Sequence, residues 1–186
     1  MKTITFVCYA NVCRSYAAEK ILKGMLKINN MKDVVVNSVG TNDIQMERDG
    51  TMKYILSEKG YETEGQRTHM TKDILMKSDL ILVMDYNNYM KVTGTIDSPY
   101  WDKVHYFMKY CFGIKDAAVV DPSGMCEDEY KKTVRLLEEG CKVIVKRLKE
   151  DVDDMVSQNG EGQGNEVHAE VVHNNSNDDS TPFYFY

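Results

Sequence analysis

One short segment constrains this chain more than any other: a cysteine, five further residues and an arginine, placed directly after the first apolar run. Residues 4–7 predict a strand, and apolar residues that recur at helical spacing over residues 17–26 predict a helix. The loop between them, residues 8–15, has the sequence Cys-Tyr-Ala-Asn-Val-Cys-Arg-Ser. Backbone N–H groups converge where such a loop enters a helix, and the helix dipole adds positive charge there. The segment therefore predicts a binding site for a phosphate-sized anion.

The side chains of this loop add a nucleophile to the predicted anion site. The thiol of Cys8 lies at the start of the loop, where the same field stabilises its thiolate and makes it reactive near neutral pH. Arg14, at the far end, has a planar guanidinium that can bind two phosphate oxygens at once. Ser15 can donate a hydrogen bond to the sulfur of Cys8. Residues 8–15 are therefore predicted to bind a phosphate group and to attack it.

Composition argues against metal chemistry and against a membrane or extracellular protein. The five cysteines form no Cys-x-x-Cys pair, and the four histidines show no metal-ligand spacing. We therefore expect no metal and no cofactor. No apolar run is long enough to span a bilayer, and the N-terminus enters a strand at once without a signal-peptide pattern. These features predict a cytoplasmic protein with reduced thiols and no membrane partner.

The charge distribution separates an acidic tail from a nearly neutral body. Of the 29 acidic residues, eight lie from residue 151 onward, in a stretch that contains none of the 23 basic residues. The remaining body gives no indication of nucleic-acid binding. We predict one folded domain, residues 1–149, and an acidic, disordered tail, residues 150–186, where polar residues and glycine replace aliphatic ones. The aromatic end of the tail, residues 181–186, is a docking motif, a phosphorylatable segment that acts in cis, or an unconstrained terminus.

Residues 8–15 resemble the phosphate-binding loop of the low-molecular-weight protein tyrosine phosphatases, whose usual form is Cys-x-Gly-Asn-x-Cys-Arg-Ser-Pro. Three further segments match that family in the same order along the chain: Ser38 at the end of a β-branched run, Met84-Asp85-x-x-Asn88, and Asp121-Pro122. The resemblance covers residues 1–149 and implies an α/β fold with three layers. The implied fold has a four-stranded parallel sheet of order 2-1-3-4 with helices on both faces, and its site lies at the carboxyl edge of the strands.

The resemblance also implies roles for individual residues. Asp121 stands where the family has its general acid, between the last strand and the C-terminal helix, and completes a catalytic set with Cys8 and Arg14. Ser38 is implied to support the loop through Asn11, whereas Asp85 is expected to cap the helix that follows it. The residues implied to contact the substrate are Tyr9, Ala10, Asn11, Val12, Cys13 and Ser15.

The implied function is hydrolysis of phosphotyrosine, an aryl phosphate monoester, through a phosphocysteine intermediate, with phosphorylated proteins as substrates. Hydrolysis of phosphoarginine is one alternative, and a phosphate- or partner-binding module with weakened catalysis is another. Three departures from the family pattern suggest the weakened module: Ala10 replaces a glycine, Gly65 stands at the position of a histidine, and Ser123 replaces an aromatic residue after Asp-Pro. Arsenate reduction is disfavoured, because residues 85–95 contain no resolving cysteine.

Two questions stay open at the level of the sequence. In members of the family, the residue at the position of Cys13 forms a reversible disulfide with the nucleophile, so Cys13 is either the partner of Cys8 or a buried residue that supports the loop. The sequence does not specify an oligomeric state.

Overall fold

A four-stranded parallel sheet forms the centre of the fold. The computed structural model describes residues 1–44 and 46–160. The strands are β1 (Lys2–Cys8), β2 (Val34–Gly40), β3 (Leu80–Val83) and β4 (Val104–Tyr106). Their order across the sheet is β2-β1-β3-β4, and every neighbouring pair is parallel. The predicted α/β fold and strand order are therefore confirmed.

Helices lie between successive strands and after the last strand. They are α1 (Arg14–Ile28), α2 (Gly50–Glu58), α3 (Lys72–Lys77), α4 (Tyr86–Thr93), α5 (Phe107–Phe112) and α6 (Glu127–Gly160), and a 3-10 helix spans Ser98–Lys103. The carboxylate of Asp85 accepts a hydrogen bond from the backbone N–H of Asn88 and so caps α4. This contact confirms the capping role predicted for Asp85.

The helices cover both faces of the sheet, because successive side chains of a strand point to opposite faces. On one face, Ile4, Phe6 and Leu82 lie in a larger core with α1, α2, α5 and α6. On the other face, Val7 and Val83 lie in a smaller core with α3 and α4. All five side chains are fully buried. Strands that are apolar on both faces are typical of a parallel sheet covered by two helix layers.

Helix α6 extends past the predicted end of the folded domain. Its buried stripe packs in the larger core and consists of Tyr130, Val134, Leu137, Cys141, Ile144 and Leu148. The compact unit formed by the body of the chain comprises Met1–Asp151. The helix runs to Gly160, whereas the sequence predicts disorder from residue 150. Residues 161–186, including the aromatic end of the predicted tail, lie outside the described residues. None of the described helices is both long and apolar enough to cross a membrane.

Candidate active site

The loop between β1 and α1 surrounds the sulfur of Cys8 with hydrogen-bond donors. Cys8 is the last residue of β1 and Arg14 is the first residue of α1. The backbone N–H of Asn11 points to the Cys8 sulfur at 3.3 Å, and the hydroxyl of Ser15 lies 2.9 Å from it. An inward-facing amide and a hydroxyl both stabilise a thiolate over a thiol. The geometry therefore suits a nucleophilic sulfur at the base of the loop.

Asn11 holds the loop in this shape from within. Its backbone is left-handed, with φ of 55°, a conformation that asparagine adopts more readily than most residues. The NH2 group of its side chain donates to Ser15 Oγ at 2.9 Å and to Ser38 Oγ at 2.8 Å. The side-chain oxygen Oδ1 accepts from the backbone N–H of Thr68 at 2.9 Å. Ser38 therefore lies beside Asn11, in the place that the resemblance implied for it.

Two arginines that the sequence analysis did not single out hold the loop from outside. Arg67 Nε donates to the carbonyl of Ala10 at 2.7 Å, and Arg48 donates to the carbonyl of Asn11. The guanidinium of Arg48 also lies over the ring of Tyr16, 4.4 Å from its centroid. In a trans peptide the N–H points away from the carbonyl, so the contact of Arg67 with the Ala10 carbonyl is consistent with an Asn11 N–H that points to the Cys8 sulfur. Ala10 itself is buried in the loop.

A buried ion pair lies beneath Ser38 and was also missed. The hydroxyl of Ser38 donates to the carboxylate of Glu19, and Lys20 Nζ lies 4.0 Å from that carboxylate. Lys20 also donates to the carbonyl of Glu64, and only 7% of Lys20 is exposed. A Cβ at Gly65 would lie 3.3 Å from Lys20 Nζ. The lysine ammonium therefore lies beside the position where the family carries a histidine.

Arg14 joins the loop to two carboxylates from distant parts of the chain. Its guanidinium contacts Asp85 Oδ2 at 2.8 Å and Asp121 Oδ2 at 2.7 Å, and it donates to the carbonyl of Val119 at 3.1 Å. Burial by itself would lower the pKa of Arg14, but the negative charge of Asp121, followed by those of Cys8 and Asp85, raises it. Within the described residues, the buried Nε–H of Arg14 has no hydrogen-bond partner. This N–H is therefore free to bind an anion in the loop.

The two carboxylates differ in how firmly they are held. Asp85 uses one oxygen to cap α4 and the other to pair with Arg14, and its side chain is 24% exposed. Asp121 is 42% exposed, and its second oxygen accepts a long hydrogen bond, 3.2 Å, from the backbone N–H of Ser123. Asp121 is thus the carboxylate that can exchange partners. The pairing of Asp85 with Arg14 was missed, because the capping pattern already accounts for an aspartate at that position.

Cys13 is a buried thiol within the loop. It is 2% exposed and is a free cysteine, as is Cys8. Burial, with smaller contributions from Asp121 and Asp49, raises the pKa of Cys13 far above its ordinary value, so it stays a thiol at neutral pH. The reversible disulfide with Cys8 stays a prediction.

Residues beside the loop differ in their exposure. Tyr9 is half exposed beside the loop, whereas Val12 is buried within it, and Ser123 is exposed beyond Asp121. Among the residues that the structure describes, no group of three His, Cys, Asp or Glu side chains is placed to hold a metal ion. The chemistry of the site rests on a thiol, a guanidinium, a carboxyl group and backbone amides, which together suit transfer of a phosphoryl group.

Comparison with known proteins identifies the relatives of this chain. Residues 3–154 match the family model described as low molecular weight phosphotyrosine protein phosphatase. A putative low molecular weight protein-tyrosine-phosphatase of Synechocystis sp. is 29% identical over 142 residues, which are 74% of this chain and 90% of the relative. The protein-arginine-phosphatase of Bacillus subtilis is 30% identical over 152 residues, which are 80% of this chain and 97% of the relative. The crystal structure of a protein tyrosine phosphatase from Entamoeba histolytica superimposes with a TM-score of 0.75 at 25% identity, covering 81% of this chain and 99% of that one.

Proposed function

Because the chain belongs to the low molecular weight phosphotyrosine protein phosphatase family, we propose that it hydrolyses phosphotyrosine monoesters in phosphorylated proteins, with Cys8, Arg14 and Asp121 as its catalytic residues. The observation that carries this assignment is the contact of Asp121 with Arg14 at 2.7 Å, at the end of the loop that begins with Cys8. This contact supports the proposal that a carboxyl group and a thiol, far apart in the sequence, act on the same phosphate group.

In the first step, the thiolate of Cys8 attacks phosphorus in line with the bond to the phenolic oxygen. The S–P bond forms as the P–O bond breaks, while Arg14 and the loop amides bind the non-bridging oxygens. Asp121, as the carboxylic acid, gives its proton to the departing oxygen, because a phenolate is a poor leaving group. The products of this step are a free phenol and a phosphocysteine.

In the second step, water attacks the phosphorus of the phosphocysteine. Asp121, now a carboxylate, accepts a proton from the water, as microscopic reversibility requires. The S–P bond breaks, inorganic phosphate is released and the Cys8 thiolate is restored. The hydroxyl of Ser15, 2.9 Å from the sulfur, donates to the thiolate as it leaves.

The ion pair between Arg14 and Asp121 has to be exchanged when substrate binds. A phosphate group takes the guanidinium donors that face Asp121 and brings negative charge next to the carboxyl group. A nearby like charge favours the protonated form of a carboxyl group, which is the form the first step needs. Asp85, held by the cap of α4, keeps its contact with Arg14 throughout.

Turnover of p-nitrophenyl phosphate tests this assignment. We expect Cys8→Ser to abolish turnover and Asp121→Asn to lower kcat by about 10²–10⁴, the effect typical of a positioned acid–base group. Cys126→Ser, at an exposed free cysteine, and Asp102→Asn, at an exposed aspartate, are the matched controls and should leave kcat unchanged. Full activity of Cys8→Ser would refute the mechanism. Absence of activity in the unmodified protein would favour the phosphate-binding module that Ala10, Gly65 and Ser123 suggest.

Phosphoarginine is the second candidate substrate. The specific observation in its favour is the arginine phosphatase of Bacillus subtilis, which is matched over 97% of its length. A panel of phosphotyrosine and phosphoarginine peptides of the same flanking sequence decides between them by kcat/KM. We expect the phosphotyrosine peptide to be preferred, and the reverse order would assign the arginine activity.

We also assign this activity to the cytoplasm. The mechanism uses a thiolate, and the cysteines of the described residues are all free, four of them buried. A thiol nucleophile persists where glutathione and thioredoxin keep thiols reduced. Cell fractionation with an antibody to the chain tests this assignment, and recovery from an extracellular fraction would contradict it.

A further inference from the structure

A second pocket, of about 400 Å³, opens beside the candidate active site. Its walls carry two lysines, Lys109 and Lys115, two tyrosines, Tyr86 and Tyr106, and one carboxylate, Asp116. We call it the lysine pocket. It contributes nothing to the mechanism described above, and its lining differs in chemistry from the phosphate loop.

Two of the three segments that line the lysine pocket also hold Arg14. Tyr86, on one wall, directly follows Asp85, which pairs with Arg14. Ala118, on the other wall, directly precedes Val119, whose carbonyl accepts from Arg14. The two segments are joined to each other by the hydrogen bond from Val119 N–H to the carbonyl of Met84, at 2.9 Å. An extended peptide advances by about 3.3–3.6 Å per residue, so residues close to a bound phosphoresidue reach the lysine pocket.

The charges of the lysine pocket favour an anion. Within the described residues, neither Lys109 nor Lys115 has a carboxylate within 4.0 Å. Two ammonium groups face one carboxylate, that of Asp116, which leaves the pocket with a net positive charge. The active-site carboxylate of Asp85, which precedes Tyr86 in the sequence, is already paired with Arg14. Burial, followed by the neighbouring tyrosines, raises the pKa of Tyr106, so its hydroxyl remains a hydrogen-bond donor.

From this arrangement we propose that the lysine pocket binds the carboxylate of a glutamate or aspartate that flanks the phosphotyrosine of a substrate protein. The proposal rests on the proposed function and adds a sequence preference to it. Lys109 and Lys115 attract the carboxylate, and the rings of Tyr86 and Tyr106 contact the methylene groups that carry it. Asp116 also lines the pocket, and its negative charge disfavours a second acidic group in the same space.

Matched phosphotyrosine peptides test the proposal. The two peptides of a pair carry glutamate or glutamine at one flanking position. Each position on both sides of the phosphotyrosine is tested in turn. The peptide glutamate would form one exposed charge pair with Lys109 and one with Lys115. Two such pairs predict a preference of about 3- to 10-fold in kcat/KM for glutamate at one position, mainly through KM, and a smaller preference at high salt. The double variant Lys109→Gln/Lys115→Gln should lose this preference and keep the wild-type kcat and KM for p-nitrophenyl phosphate.

The control is Lys27→Gln/Lys77→Gln, which removes two exposed lysines from other helices and should keep the preference. The proposal is wrong if the unmodified protein shows no preference at any position, or if the Lys109/Lys115 variant discriminates as well as wild type. Failure of p-nitrophenyl phosphate turnover in the unmodified protein would instead overturn the proposed function. The two failures are therefore distinguished by separate measurements.

Discussion

Replacing Asp85 with asparagine tests whether this carboxylate orients Arg14 for phosphate binding. Asp85 Oδ2 lies 2.8 Å from the Arg14 guanidinium, and Asp85 Oδ1 caps α4 through the N–H of Asn88 at 2.8 Å. Asparagine is as good a helix cap as aspartate, so the substitution leaves the cap in place. It removes the negative charge that faces Arg14 and puts the amide NH2, a donor, where an oxygen accepted from the guanidinium. The variant therefore separates the role of Asp85 in the active site from its role in the fold.

The size of the effect follows from the type of hydrogen bond that is lost. A hydrogen bond between charged groups contributes about 1.5–3 kcal/mol. The one amide oxygen of asparagine is used by the cap, so this bond is lost, and with it about 1.5–3 kcal/mol of the energy that holds the guanidinium in place. A loss of that size in the transition state lowers kcat/KM by about 10- to 150-fold. Thermal stability should change little.

The assay is the turnover of p-nitrophenyl phosphate, with the melting temperature measured on the same samples. Asp49→Asn is the matched control, because Asp49 caps α2 in the same way and makes no contact with Arg14. It should keep kcat/KM within about twofold of wild type, since the capping energy is retained. If Asp85→Asn keeps the full kcat/KM, or if Asp49→Asn loses as much, the orienting role of Asp85 is refuted.

Two further predictions concern groups around the loop. Lys20→Met removes the ammonium that donates to the carbonyl of Glu64 and lies 4.0 Å from Glu19, and it should lower the free energy of unfolding by about 1–3 kcal/mol. Urea unfolding measures this change, and Lys20→Arg should recover part of the loss. Unchanged stability of Lys20→Met would contradict the role of the pair. Burial raises the pKa of Tyr16 to about 12. The folded state therefore binds this proton more tightly than the unfolded state, and the stability it contributes is complete below about pH 10 and lost as the pH rises towards 12. Tyr16→Phe should make the alkaline fall in unfolding free energy shallower, and a fall equal to that of wild type would contradict this.

The loop and the fold could be predicted from the sequence because the patterns that indicate them are local. Cys8 and Arg14 lie within seven consecutive residues, between a strand pattern and a helix pattern that fix the geometry of the loop. The resemblance then extended the prediction to Asp121, which no spacing rule connects to Cys8. The strand order followed from the same resemblance.

The residues that support the loop could not be predicted from the sequence, because they come from separate segments of the chain. Arg48 and Arg67 lie in irregular segments, and nothing in the sequence indicates that their guanidinium groups reach the carbonyls of Asn11 and Ala10. Glu19 and Lys20 look like a solvated face of α1, yet the surrounding helix is buried from residue 14 to residue 22. Such contacts depend on how separate segments meet, which the pattern of one segment does not contain.

The end of α6 shows how composition and local propensity can disagree. Residues 150–158 are strongly polar, which predicts disorder, but they contain neither glycine nor proline. Since no residue there breaks a helix, α6 continues to Gly160. The prediction averaged the composition over the whole tail, and the boundary of the folded domain at residue 149 stays a prediction.

The shared carboxylate of Asp85 has a consequence for control of this protein from a distance. One oxygen fixes the first turn of α4 and the other fixes the guanidinium of Arg14, so a rotation of that helix changes the angle at which the guanidinium meets a phosphate. The outer surface of α4 carries Tyr86 and Met90, which are four positions apart and 64% and 50% exposed. A protein that bound these two side chains and tilted the helix would slow turnover of p-nitrophenyl phosphate, and saturation with this small substrate, which does not extend into the lysine pocket, would not relieve that inhibition.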